Sequence, residues 1–289
     1  MISNHTPFRH PTNPEIKIWR YLDLPRFASL LLTRSLHFAR TQQLGDPFEG
    51  LLIKVWRETW GHILQHRDSD PRLVEWRSMS TSHLQDVFAL MDQTGMGSRT
   101  SHVNCWHMNE HESAANWHRY IASDRIVCIQ STFRRLAEVL PRPVYAGEVK
   151  YIDYESDPIP HLNPWNPVLY KKSSFSDERE LRAAIFVRPH HGQSCANRNP
   201  CAERDRRISS GHAPARASLS ALSPRGSNIQ LDWTDDGVLV PIEVSDLIEA
   251  IYISPIAPGW ISDVVERLIA SQGLKLPMKR SSVSEMSLH

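Results

Sequence analysis

The sequence predicts an α+β fold: a single domain with a mixed, mostly antiparallel sheet and helices clustered in the N-terminal half. Two observations predict it. Short alternating or β-branched runs recur along the chain, as at Leu36-His37-Phe38-Ala39 and Ile126-Val127-Cys128-Ile129, and such runs read as strands. Apolar residues at helical spacing are concentrated early, as at Trp56, Trp60, Ile63 and Leu64. Many short strands with grouped helices, rather than strict alternation of the two, read as α+β.

The elements follow in order. Residues 1–14 are polar and rich in Pro, Asn and His, and read as a flexible leader without the apolar stretch of a secretory signal. Residues 16–21 read as a strand. Leu24 to Leu31 reads as a helix with Pro25 in its first turn, where the missing N–H costs nothing. A second strand covers Leu36 to Ala39, and Asp46-Pro47-Phe48-Glu49-Gly50 is a turn after it. Residues 51–96 read as helical, with a second helix near 84–91 that ends at Gly95-Met96-Gly97-Ser98.

Val103 to His107 reads as a strand. Residues 113–121 have helical spacing, with Ala114, Trp117 and Ile121 on one face. A strand at 125–130, a helix at 133–140 and a strand at 144–151 follow. The segment 177–182 runs into Ala183-Ala184-Ile185-Phe186-Val187, a buried strand. Residues 189–228 are rich in Pro, Ser, Arg and Ala. Too little apolar surface is available there to offset the ordering entropy, so a disordered insertion is expected. Strands at 237–244 and 247–254 and an amphipathic helix at 261–270 complete the domain, before a flexible tail at 276–289. The domain therefore comprises 15–188 and 229–275.

Composition excludes some classes. The formal charge is +1, so nucleic acid is not favoured as a partner. No apolar run of about 18 residues is present, so no membrane partner is expected. Cys105 and Cys128 read as free thiols of a reducing compartment, and a cytoplasmic location is expected. Cys195 and Cys201, beside His190 and His191, have a Cys-x5-Cys spacing that is no zinc pattern, and no metal is predicted. There is no P-loop, G-x-G-x-x-G, G-x-S-x-G or H-E-x-x-H.

Three motifs carry the chemistry. In the first, Gly45-Asp46-Pro47-Phe48-Glu49, Asp46 and Glu49 are either turn acids or ligand-binding carboxylates. The second is Cys105-Trp106-His107 with Trp117-His118-Arg119-Tyr120 behind it. There Trp117 and Tyr120 are either core or a stacking platform, and His118 is a hydrogen-bonding group. The third, Glu178-Arg179-Glu180-Leu181-Arg182, is the sharpest. On an extended segment Glu178 and Glu180 share a face. They repel unless solvated or held by a cation, which Arg182 could supply. The two readings are a surface salt-bridge ladder and a catalytic carboxylate pair.

In this order, with Trp19-Arg20-Tyr21 before them and Ile251-Tyr252-Ile253-Ser254-Pro255 after them, the motifs resemble those of a bacterial family called domain of unknown function 2971. The likeness spans about 16–275 without the insertion. Gly45 replaces the family's Asn, Trp106-His107 replaces Phe-Ser, and the 189–228 insertion is foreign to the pattern. The family name supplies no activity.

The Glu-x-Glu segment also resembles the corresponding loop of the ADP-ribosyltransferase fold. That resemblance implies NAD as substrate, with Glu180 as the catalytic carboxylate and Glu178 orienting the acceptor. Arg20 or Tyr21 would hold nicotinamide or phosphates, and Tyr120 or Trp117 would stack on nicotinamide. Asp46, Glu49, His118 and Arg182 would complete the cleft. The expected partner is a nucleotide-type small molecule, the macromolecular acceptor is left unspecified, and a toxin or phage-defence setting is implied. Two alternatives stand beside it. One is a metal-dependent nuclease using Asp46 with Glu148-Val149-Lys150. The other is a non-enzymatic module binding a nucleotide or peptide.

Overall fold

A computed structural model describes residues 8–41, 44, 51–94, 101–121, 126–158, 160, 163, 165–186, 216–218, 230–234 and 236–283. Strand β1 (Lys17–Leu22) leads into helix α1 (Leu24–Thr33). The Asp23 carboxylate accepts the Arg26 N–H at 2.7 Å and caps that helix, and Arg34 ends it in the left-handed region. β2 (Ser35–Arg40), α2 (Leu51–His66) and α3 (Thr81–Thr94) follow. Between the last two lies a 3-10 turn, Pro71–Trp76. Trp56, Ile63, Leu73, Trp76 and Leu84 close this region as a satellite core.

β3 (Ser101–Met108) and α4 (Ala114–Ile121) precede β4 (Val127–Thr132) and α5 (Phe133–Val139). Next come β5 (Tyr145–Glu148), β6 (Lys150–Ile152), α6 (Asn166–Leu169), β7 (Tyr170–Lys172) and β8 (Glu180–Phe186). The chain continues through β9 (Arg216–Ser218), β10 (Gln230–Trp233), β11 (Gly237–Pro241), α7 (Val244–Leu247) and β12 (Ala250–Ile253). It ends with α8 (Gly259–Ser271) and β13 (Met278–Arg280). The fold is α+β with one large, mostly antiparallel sheet, in which only β12 and β13 pair in parallel among the described residues.

The sheet forks at β3. One edge of β3 pairs with β8 from Ser101↔Phe186 to His107↔Glu180. Its other edge is shared by two strands. β1 joins at the end, through Trp19↔His107, and β2 at the start, through Ala39↔Val103. Both registers stop short of Cys105.

Strand alternation sorts the two faces. One carries Ile18, Leu22, Phe38, Trp106, Leu181, Val240 and Ile251 into the main core, alongside Phe27, Leu136 and Val265 from helices. Each such buried side chain contributes roughly 1.5–3 kcal/mol. The other face carries Trp19, Tyr21, Cys105, His107, Glu180 and Arg182.

The expected leader and tail both contain docked residues. Phe8 is buried and packs on Tyr145 and Trp165, with ring centroids 5.5 and 5.0 Å away. Behind it, Glu148 N–H bonds the Arg9 carbonyl at 2.8 Å. The chain lies so close that a Cβ on Gly147 would come within 2.9 Å of that oxygen. At the other end β13 pairs with β12, and Arg280 donates to the Pro255 carbonyl at 3.0 Å. Polar composition hid both anchors. Of the expected insertion, Arg216–Ser218 pairs with β10, and the rest lies outside the described residues.

Candidate functional site

The site is built on the turn entering β8. Ser173–Glu178 forms a 3-10 turn, and Arg179 adopts the left-handed region at φ 43°. Four hydrogen bonds hold it there. The His107 Nδ1–H donates to the Glu178 carbonyl at 2.9 Å. Met108 N–H donates to the Arg179 carbonyl and Val149 N–H to the Glu180 carbonyl, each at 2.9 Å. Glu180 N–H donates to the Tyr151 hydroxyl at 2.8 Å.

This turn brings the two carboxylates to one ammonium. Lys171 Nζ lies 2.8 Å from Glu178 Oε2 and 3.8 Å from Glu180 Oε2. The expected extended segment is corrected: Glu178 belongs to the turn and Glu180 to the strand. Their convergence comes from the left-handed Arg179 and from Lys171, not from alternation.

Arg182 supplies the second cation, as the spacing suggested. Its Nε and Nη2 reach Glu180 Oε1 and Oε2 at 2.8 and 2.9 Å, and its Nη1 bonds the Val168 carbonyl at 3.0 Å. Glu180 and Arg182 are 4% and 1% exposed. Burial pushes the Glu180 carboxyl up, but the Arg182 charge and bonds, Lys171 and the Cys105 thiol outweigh it and hold the group well below the ordinary carboxylate range. The pair is therefore ionised and enclosed. Glu178 is the more open of the two acids, its side chain 13% exposed.

Around this network the expected cleft residues divide. Tyr21 shares its face: its ring lies 6.0 Å from His107 and 4.9 Å from Trp117, edge-on to both. Burial raises its hydroxyl far above the ordinary tyrosine range. Trp117 is not a stacking platform. It is fully buried against Tyr21, and its Nε1–H donates to Glu112 Oε2 at 2.9 Å. Tyr120 belongs to α4, but its side chain lies outside the described residues, as do Asp46 and Glu49 entirely. His118 is exposed on α4.

Arg20 is displaced from the expected cleft. It alternates with Tyr21 along β1 and so leaves from the opposite face. Its guanidinium spans the fork, donating to the Cys105 carbonyl at 3.1 Å and lying 6.0 Å from the centre of the Trp106 ring.

Sequence reasoning overlooked Lys171 and Tyr151, and it gave no site role to Cys105, His107 and Arg119 although all three lie in the second motif. Lys171 had a local signal in Tyr170-Lys171-Lys172, seven residues ahead of Glu178. Arg119 sat inside a motif whose aromatics drew the attention. Its Nη2 lies 2.7 Å from Asp177 Oδ2 and its Nη1 3.7 Å from Glu178 Oε1.

Of the nuclease trio, Asp46 lies outside the described residues. Glu148 engages Arg9 at 3.8 Å, whereas Lys150 engages the Tyr170 hydroxyl at 3.3 Å. No cluster of three or more His, Cys, Asp or Glu able to hold a metal occurs among the described residues. No described helix is long and apolar enough to cross a membrane. In comparison with known proteins, no family, no curated protein and no solved structure matches the chain.

Proposed function

We propose that the protein cleaves the nicotinamide–ribose bond of NAD, by ADP-ribosyl transfer or by hydrolysis. The observation that carries this reading is the meeting of Glu178 and Glu180 at Lys171, with Glu178 left partly open. The reaction needs a fixed negative charge beside a ribose carbon. The C1′–N bond breaks with its electron pair leaving on nicotinamide, and C1′ becomes oxocarbenium-like. An acceptor or water then closes on C1′ and loses a proton. A preorganised carboxylate stabilises the cationic stage without having to reorganise.

The burial pattern supports exchanging the roles of the two acids. Both Glu180 oxygens are engaged by Arg182, so a ribose would displace a buried ion pair to reach them. Glu178 takes the electrostatic role in this reading. Glu180 and Arg182 form the foundation that fixes Lys171 and the turn. The motif likeness to the ADP-ribosyltransferase loop supports the chemistry, while the roles it implies for the two acids are exchanged in this reading.

A second reading, a non-enzymatic nucleotide-binding module, is favoured by the same enclosure of Glu180 and Arg182. One experiment separates the two. Nicotinamide release from NAD is measured for wild type, Glu178→Gln and Glu180→Gln, with a melting curve for each. Release by the wild type that falls at least about 100-fold in a folded Glu178→Gln protein is the expected result. No release by a folded wild type, with or without added protein lysate as acceptor, rejects the enzyme reading.

A further inference from the structure

A dinucleotide substrate brings a diphosphate, and the expected cation for it, Arg20, is committed to the opposite face of the sheet. Arg182 is enclosed with Glu180, and Lys171 is buried between the acids. Arg119 differs from all three. It stands on α4, its side chain 34% exposed, and it spans from that helix to the turn that carries Glu178.

We infer that Arg119 is a substrate-binding residue that takes the diphosphate of the dinucleotide, exchanging its ion pairs with Asp177 and Glu178 for phosphate oxygens. This rests on the nicotinamide-dinucleotide reading for the identity of the substrate. Guanidinium presents a planar fork of donors that matches phosphate oxygens. The exchange is cheap at Asp177. Asp177 is 62% exposed, and ion pairs to so exposed a carboxylate contribute little. Departure of Arg119 also removes the cation 3.7 Å from Glu178 Oε1. The negative charge of Glu178 is then better exposed to a developing cation when substrate is in place. Asp177 acts as the competitor that holds Arg119 while the site is empty.

The test is direct binding, so it does not depend on turnover. Calorimetry on the full chain measures ADP-ribose, which carries the diphosphate, and nicotinamide riboside, which does not. Wild type, Arg119→Gln, Arg119→Lys and Asp177→Asn are compared. The expected result is roughly tenfold or greater weakening of ADP-ribose binding in Arg119→Gln, a smaller loss in Arg119→Lys, and tighter binding in Asp177→Asn. Nicotinamide riboside affinity should not weaken in Arg119→Gln, because the guanidinium repels rather than attracts that cation. Equal ADP-ribose affinity in wild type and a folded Arg119→Gln protein overturns the inference, as does a wild type that does not bind ADP-ribose at all. Binding that depends on Arg119 without nicotinamide release would reject the proposed reaction and keep the Arg119 assignment.

Discussion

Glu180 grips Arg182 through both carboxylate oxygens, at 2.8 and 2.9 Å, inside a face that excludes solvent. Such a pair holds the structure in one arrangement more than it adds net stability. Taking two ions out of water costs several kcal/mol each, and only close geometry repays it. Removing one partner strands the other. Arg182→Leu should therefore destabilise the protein by about 3–5 kcal/mol. Combining it with Glu180→Leu should restore part of that loss. Urea unfolding of the two single variants and the double variant checks this, and a double variant no better than Arg182→Leu would refute the argument.

Acid should loosen the same pair. The folded Glu180 carboxyl is depressed, after burial is outweighed by Arg182, Lys171 and Cys105. Its contribution is present above the ordinary carboxylate range and is lost as pH falls through the folded value. The urea midpoint should thus fall below about pH 4.5, and more steeply in wild type than in the Glu180→Leu/Arg182→Leu protein. Parallel acid profiles for the two would count against it.

His107 adds a slope at milder pH. Burial lowers its imidazole below the ordinary 6.5, although the Glu178 carbonyl, Glu180 and Glu178 pull it upward. The unfolded chain then binds the extra proton. Stability is complete above pH 6.5 and declines as pH falls toward the folded value. His107→Asn should flatten part of this slope, because its side-chain amide N–H can still donate to the Glu178 carbonyl while nothing titrates. Denaturation midpoints at several pH values between neutral and mildly acidic would show whether it does.

Lys171 keeps the two acids compatible. In Lys171→Met the carboxylates would face each other across the gap the ammonium leaves, and at least one should bind a proton more readily. If nicotinamide release is the activity, its acidic limb should move to higher pH in this variant. An unshifted limb would place Lys171 outside the reacting group.

Phe8 tests whether the leader belongs to the domain. It is 6% exposed among aromatic rings. Phe8→Ala should cost about 3–5 kcal/mol, like other large-to-small core changes. A melting temperature unchanged from wild type would show the leader to be dispensable.

Periodicity made most of the fold legible. β1, α1 and β3 fall within two residues of where their apolar patterns placed them, because alternation and helical spacing report burial directly. The end segments were not legible. A single Phe8 and the bonds of Arg280 anchor them, and neither leaves a periodic trace. At the site, the spacing of Glu180 and Arg182 was informative because both lie on one strand. Lys171, Arg119 and His107 come from β7, α4 and β3. Sequence distance says nothing about their meeting. Arg20 was misplaced because a single residue's register decides which face of a strand it serves.

The fork at β3 has a consequence for how the chain assembles during synthesis. β1 and β2 are neighbours in sequence, joined only by α1, yet they do not pair with each other. Their shared partner begins at Ser101, and β2's other neighbour begins at Gly237. A nascent chain emerging at about 5–20 residues per second therefore carries two strands with open edges for several seconds before β3 arrives. Until then those edges are templates for other chains. β3 closes one edge of each strand, but the second edge of β2 stays open until β11 emerges from Gly237, and a helper protein would matter until then.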